Sequence, residues 1–334
     1  MTAHALGCCL LAAIPFAVRA QAPGYTVTKH YQLGGEGGWD YLTFDTAGHR
    51  LFVTHGTHVQ VVDPDNGAVI GDIPNTPHVH GVALALNLGR GFITAAGDTA
   101  IHIFDLKTLQ PIGTVKADPD DDAIVYDPAT KYVVSMNGDS HTATVVDGAR
   151  GKVVGTVQLP GGPEFAVSDN HGMVYANIED KSLLVAIDLK VMKVVRQWDL
   201  APCQSPSGLA IDREHHRLFS GCHNQKMAIS DAAAGKVIAT VPIGARVDAN
   251  RYDPGTRLAF SSNGDGTLTV VHEDSPDRFT ELGTVTTAVG ARTMALDPKT
   301  HTIYLVTAKF EPAQGTARPR PLPNTFEMIV VQRQ

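Results

Sequence analysis

Short apolar runs recur along the whole chain, each closed by a turn. One stretch displays the unit. Gly208-Leu209-Ala210-Ile211 is followed by a turn over 212–216, and Arg217-Leu218-Phe219-Ser220-Gly221 follows that turn. Lys226-Met227-Ala228-Ile229-Ser230, the turn Asp231-Ala232-Ala233-Ala234-Gly235 and a last run over 236–241 complete it. Runs this short, rich in Val, Ile and Thr and bounded by Asp, Gly, Asn and Pro, predict β-strands joined by tight turns. The unit therefore reads as four strands, a to d.

The unit repeats. Asp ends the first strand at Asp45, Asp127, Asp169, Asp212, Asp253 and Asp297, with Ala85 in the second slot. These seven slots are 40 to 44 residues apart. A second series, Asp63, Asp105, Asp147, Asp188, Asp231 and Asp274, keeps the same period. Two phases with one period of this length, over four-stranded units, predict an all-β, seven-bladed β-propeller. The seventh unit is one strand short after residues 326–331, and the strand-like residues 25–33 stand alone before the first. An N-terminal strand completing the last blade would close the ring and remove two exposed edges. The domain reading is a leader over 1–22 and a propeller over 23–334.

Three strings occupy the second strand of their units: Arg50-Leu51-Phe52-Val53-Thr54, Arg217-Leu218-Phe219 and Thr302-Ile303-Tyr304-Leu305-Val306-Thr307. They resemble the YVTN element of YncE-like propellers, and the resemblance covers roughly residues 25–334. It implies the fold and leaves the chemistry open, because propellers of one shape serve many roles.

Composition adds compartment and solubility. Residues 6–18 are apolar, and Val18-Arg19-Ala20 and Ala20-Gln21-Ala22 offer small-x-Ala cleavage sites, so the N-terminus reads as a secretory signal. Ala5-Leu6-Gly7-Cys8 has the outline of a lipid-attachment motif but lies too early to leave a full apolar stretch. No later stretch is long enough for a spanning helix. The expected location is periplasmic or secreted. Cys8 and Cys9 would leave with the leader, so Cys203 and Cys222 are expected to form a disulfide. The net charge of −7 comes without a basic run, and nucleic-acid binding is not indicated.

Candidate chemistry comes from register. The residue five before each first-strand slot is Asp40, His80, Asp122, Glu164, Ser207, Asp248 or Arg292. All are polar, and equivalent positions in repeated blades share a depth, so they should ring one mouth of the central channel. By strand alternation the residues two earlier, His78, Asp120, Ser205 and Arg246 with Gly38, Gly162 and Gly290, should face the same way. The ring is the candidate ligand-binding site. His80, Asp122, Glu164 and Asp248 could hold a hard divalent cation, Ca²⁺, Mg²⁺ or Mn²⁺; a small polar molecule or a protein partner fits the ring equally. Polar side chains are also what a merely water-filled channel requires.

Two function classes stay open. One is a binding module presenting its loop face. The other is a metal-dependent hydrolase or lyase, lactonase-like, working at the axis. His55, His58, His78, His141 and His223 fall on the loop face beside His80. His49, His171, His215, His216 and His301 fall in turns of the opposite face and are expected to be solvated. Residues 309–325, with Pro312, Pro319, Pro321 and Pro323, form a long loop. Arg318 and Arg320 could reach from it over the channel, or it could be a plain surface loop. The chain has no GxSxG, HExxH, CxxCH, P-loop or GxGxxG signature, and Trp39-Asp40 is not at the WD40 position.

Overall fold

The computed structural model describes residues 24–312 and 319–334. The leader over 1–22 and Arg318 lie outside the described residues. Seven four-stranded antiparallel sheets form a ring. The innermost strands are Trp39–Asp45, Val79–Ala85, Asp121–Asp127, Pro163–Ser168, Pro206–Asp212, Val247–Asp253 and Met294–Asp297. Each touches the next around the axis, and the seventh touches the first.

Six blades are contiguous in sequence. The last is built from Met294–Asp297, Thr302–Thr307, Glu327–Arg333 and, outermost, the N-terminal strand Tyr25–Gln32. The closing strand pairs from Tyr25 opposite Arg333 to Gln32 opposite Glu327. Tyr25 is buried against Phe260 of the sixth blade, with ring centroids 5.3 Å apart. The middle strands are buried on both faces, as sheets stacked on two neighbours must be, while the outermost strands expose Val69, Ile70, Val153 and Val195. No described helix is long and apolar enough to cross a membrane.

The Asp repeat has a local cause. Asp45 accepts hydrogen bonds from the backbone N–H of Ala47 and Gly48, and Asp253 and Asp297 act likewise in their own turns. A carboxylate that caps its own turn fixes the hairpin. Ala85 cannot do this, and the chain turns there through a 3₁₀ segment, Leu86–Leu88, ended by left-handed Gly89. The second series needs one correction. Leu258 pairs with His272 as Arg217 pairs with Asp231, so His272 holds the sixth slot and Asp274 does not. The hairpin of strands Thr267–Ser275 and Arg278–Thr286 runs past the usual end, and Asp274 accepts from Thr280 Oγ1 within it.

Cys203 and Cys222 are joined, with Cα atoms 5.7 Å apart. The histidines of the opposite face are less solvated than their turns suggest. His301 Nδ1 lies 2.7 Å from Asp253, and His215 Nδ1 lies 2.6 Å from Asp212 and 3.3 Å from Glu273. Carboxylates ending one strand and starting the next turn are within reach of these rings, which the turn sequences alone do not reveal.

Candidate functional site

Ring residues sit in a β-bulge that recurs from blade to blade. In blade one Trp39 pairs with His55 and Leu42 with Val53, so Asp40 and Tyr41 together oppose Thr54. The same extra residue occurs in blades two to six. A bulge takes a residue out of the ladder and re-aims its side chain. Strand b side chains satisfy the freed backbone groups. Thr54 Oγ1 accepts from Asp40 N at 3.1 Å and donates to Tyr41 O at 3.0 Å. Thr94 donates to Asp122 O, Asn177 to Ser207 O and Ser262 to Arg292 O, each reaching the next blade. The bulges thereby lock neighbouring ring positions to one another.

Six of the seven expected residues join one chain of contacts. His80 Nδ1 lies 2.6 Å from Asp40 Oδ2 and 3.3 Å from Asp122 Oδ1. Arg292 Nη2 lies 3.8 Å from the other Asp40 oxygen, and Arg292 Nε lies 2.5 Å from Asp248. Ser207 donates to Asp248 at 3.2 Å. Glu164, the seventh, hydrogen-bonds Glu179 and feels the charges of Asp122 and Asp248. The cation set expected from sequence is thus divided: His80 and Asp122 are together, Asp248 is engaged by Arg292, and Glu164 turns to Glu179. Asp40 takes the third place beside His80 and Asp122.

The electrostatics follow from crowding away from bulk water. Burial, then the Asp40 charge, pushes the Asp122 carboxyl well above the usual range in spite of His80. Burial opposes charge on His80, but its hydrogen bond to Asp40 and the Asp122 charge outweigh this and hold it at about 9. Burial raises Asp248 while Arg292 pulls it back. Glu164 is pushed up to about 10 by burial, then by Asp122, Glu179 and Asp248.

A stability prediction follows for Glu164. A carboxyl whose folded pKa lies above its unfolded value of 4.5 costs nothing below that pH, and stability is lost as the pH rises toward 10. Glu164→Gln should therefore stabilise the protein at pH 8 and leave it almost unchanged at pH 4. Thermal melts of both proteins at the two pH values test this; an equal change at both, or a loss at pH 8, sinks it.

Several nearby groups escape the register argument. Tyr41 lies under the ring, its hydroxyl pushed up by burial and by Asp122, Asp40, Glu164 and Asp248. It packs edge-on to Phe165, and the Arg251 guanidinium lies over the Phe165 ring, 4.8 Å from its centroid. These three side chains fill the middle of the channel. Arg251 is the one charged residue at its register, where the other blades have Thr43, Ala83, Val125, Val167, Ala210 and Ala295; that contrast was the available signal. Asp121 is fully buried, accepts from Ala95 N and is raised to about 7 by burial. His55 belongs to the core: it stacks on Phe326 at 4.2 Å and burial lowers it to about 4.

The alternation expected for the residues two earlier does not hold as a strand property. His78, Asp120, Ser205, Arg246 and Gly290 have positive φ and lead into the strands. They form an outer rim, with the His78 ring 4.6 Å from His80. Of the long loop, Phe310 bridges Pro321 and packs on Trp39 beside Arg292, while Arg320 is exposed. A separate depression of about 630 Å³ lies outboard, lined by His58, Asp72, Pro74 and Asp98 among others.

No family model and no curated protein matches the chain. Among solved structures it is similar to Kuenenia stuttgartiensis hydrazine synthase, with a TM-score of 0.70, 16% identity, and 81% of this chain and 92% of that chain covered. It is also similar to a chain of the mitotic checkpoint complex, with a TM-score of 0.76, 14% identity, and 99% and 98% covered. At these identities the likeness concerns the fold alone.

Proposed function

We propose that the ring binds a hard divalent cation, Mg²⁺, Mn²⁺ or Ca²⁺, at Asp40, His80 and Asp122. The propeller would use it to hold a small polar ligand or a protein partner at the channel mouth. One observation carries this reading: one donor atom from each of the three residues lies within 4.8 Å of the other two. Among the described residues, buried His80 Nε2 has no hydrogen-bond partner and Asp122 Oδ1 has only the 3.3 Å approach of His80 Nδ1, so a cation can take both by displacing the protons that crowding holds on them. Ring cations are few: Arg292 and His80 face Asp40, Asp122, Glu164 and Asp248. A mixed nitrogen and carboxylate set suits Mn²⁺ better than Ca²⁺. The lactonase-like alternative has no separate observation behind it.

Membership among YncE-like propellers belongs to the same proposal. It is supported by the place of residues 50–54, 217–219 and 302–307 in the second strands of their blades. A periplasmic or secreted location is supported by the Cys203–Cys222 bridge.

The test is a Mn²⁺ titration of chelator-treated protein, with free Mn²⁺ read by electron paramagnetic resonance. Wild type should bind about one equivalent with a Kd in the micromolar range, and Asp40→Asn with Asp122→Asn should weaken this about 100-fold. Melting curves establish that the variant is folded. A folded double variant that binds Mn²⁺ like the parent overturns the proposal, as does a parent that binds none.

A further inference from the structure

The channel has a second half. Below Tyr41, Phe165 and Arg251, on the side away from the ring, lies a cavity of about 390 Å³. Its walls include the short residues at the register of Arg251, Thr43, Ala83, Val125, Val167 and Ala210, with Phe44 and Tyr252 beside them. Because the other blades place short side chains there, the channel stays open below the plug. Leu86 and Arg213 line it on the side of the a→b turns.

Arg251 is the group that gives this cavity chemistry. Its side chain leaves blade six, passes over Phe165 of blade four and reaches Leu42 of blade one, so it crosses the axis. Its bonds are to backbone carbonyls, Asn250 O at 2.8 Å and Leu42 O at 3.4 Å. Among the described residues no carboxylate pairs with it. Its charge feels Tyr41, and burial lowers its pKa only to about 10, so it remains a cation at neutral pH. A half-buried guanidinium without a counter-ion is costly, and five N–H donors exceed the two carbonyls it meets. Arg213 is engaged by Ser168 O and lies near Asp169 and Asp212, so Arg251 alone is uncompensated in the cavity.

We infer that this half of the channel binds a small amphipathic monoanion, a carboxylate carrying a short aliphatic or aromatic body. The carboxylate pairs with Arg251 at the end of the cavity nearest the plug, and the body lies along Ala83, Val125, Val167 and Ala210. A charge-assisted pair with a half-buried guanidinium supplies the specificity, and apolar burial supplies the rest. The volume is near the lower end for small-molecule sites, which favours a compact ligand. The inference does not rest on a cation in the ring.

Calorimetric titration with octanoate and with 1-octanol, its uncharged analogue, is the test. Wild type should bind octanoate at least about tenfold more tightly than 1-octanol. Arg251→Gln should lose about tenfold in octanoate affinity and leave 1-octanol unchanged, while Val167→Phe, which fills the cavity, should lose both. Equal affinity for the two probes in wild type, no octanoate binding below about 10 mM, or octanoate binding retained in folded Arg251→Gln overturns the inference. Should Arg251→Gln fail to melt cooperatively, Val167→Phe decides: undiminished octanoate binding there places the probe outside the channel and overturns it.

Discussion

Deletion of residues 24–33 is expected to abolish the single cooperative melt of the protein. The closing strand carries the whole outer ladder of blade seven, from Tyr25 opposite Arg333 to Gln32 opposite Glu327. Without it, Glu327–Arg333 becomes an open edge with Met328, Ile329, Val330 and Val331 behind it. The loss also removes Tyr25 from a cluster shared with Phe260, Leu305, Ile329 and Val331, where a buried aromatic side chain is worth about 3 kcal/mol or more. Adding the ladder and the staple between the chain's two ends brings the cost beyond about 5 kcal/mol, comparable with a domain's total stability. A truncated protein melting within about 3 °C of the parent would refute this. A peptide of residues 24–34 that restores the melt in trans would show that pairing itself is what was lost.

Closure was legible because it follows from counting: a blade short of one strand and a strand short of a blade meet only one way. Turn chemistry was legible for the same kind of reason. An Asp at a fixed offset caps its own hairpin in blade after blade, so the repeat survives in sequence. It failed at Asp274, where an extended hairpin moved the slot to His272, because hairpin length is set by cross-strand pairing and leaves no mark at one position.

The ring illustrates the boundary more closely. Rotation about the axis brings Asp40, His80 and Asp122 together from residues 40 and 42 apart, and periodicity alone says so. Which of them pair does not follow. Glu179, the partner of Glu164, comes from the 3₁₀ turn Glu179–Lys181 after strand b, outside the ring's register. Nor was the bulge legible, since the inner strands are largely buried on both faces and carry no clean apolar–polar alternation for an extra residue to interrupt. It breaks the alternation from which His78 and Asp120 were expected to share the ring's direction, and left-handed backbone at both completes the break. Arg251 was overlooked because the search followed the polar slot, and the informative event was one charge in an apolar slot.

Replacing both Cys203 and Cys222 with Ala should destabilise the protein by roughly 3 kcal/mol, the chain-entropy value for a loop of this size. Their sequence separation is 19, and both sulfurs are buried, so the bridge is inaccessible to thiol reagents until the protein unfolds. The bridge also has a local task. Cys222 pairs with Pro206 across the first two strands of blade five, and Ser207 follows Pro206 in the bulge. Tying Cys203 to Cys222 therefore anchors the segment that delivers Ser207 to Asp248. The expected melting shift is about 5 °C for a chain of this length. Because Asp40, His80 and Asp122 lie in blades one to three, Mn²⁺ affinity should change by less than about threefold. Alkylation of unreduced, denatured protein should find no free thiol at either position. A melting change under about 1 °C would mean that the loop is held by its packing and that the covalent link adds little. A large loss of Mn²⁺ affinity would mean that the far side of the ring, including Ser207 and Asp248, helps hold the cation.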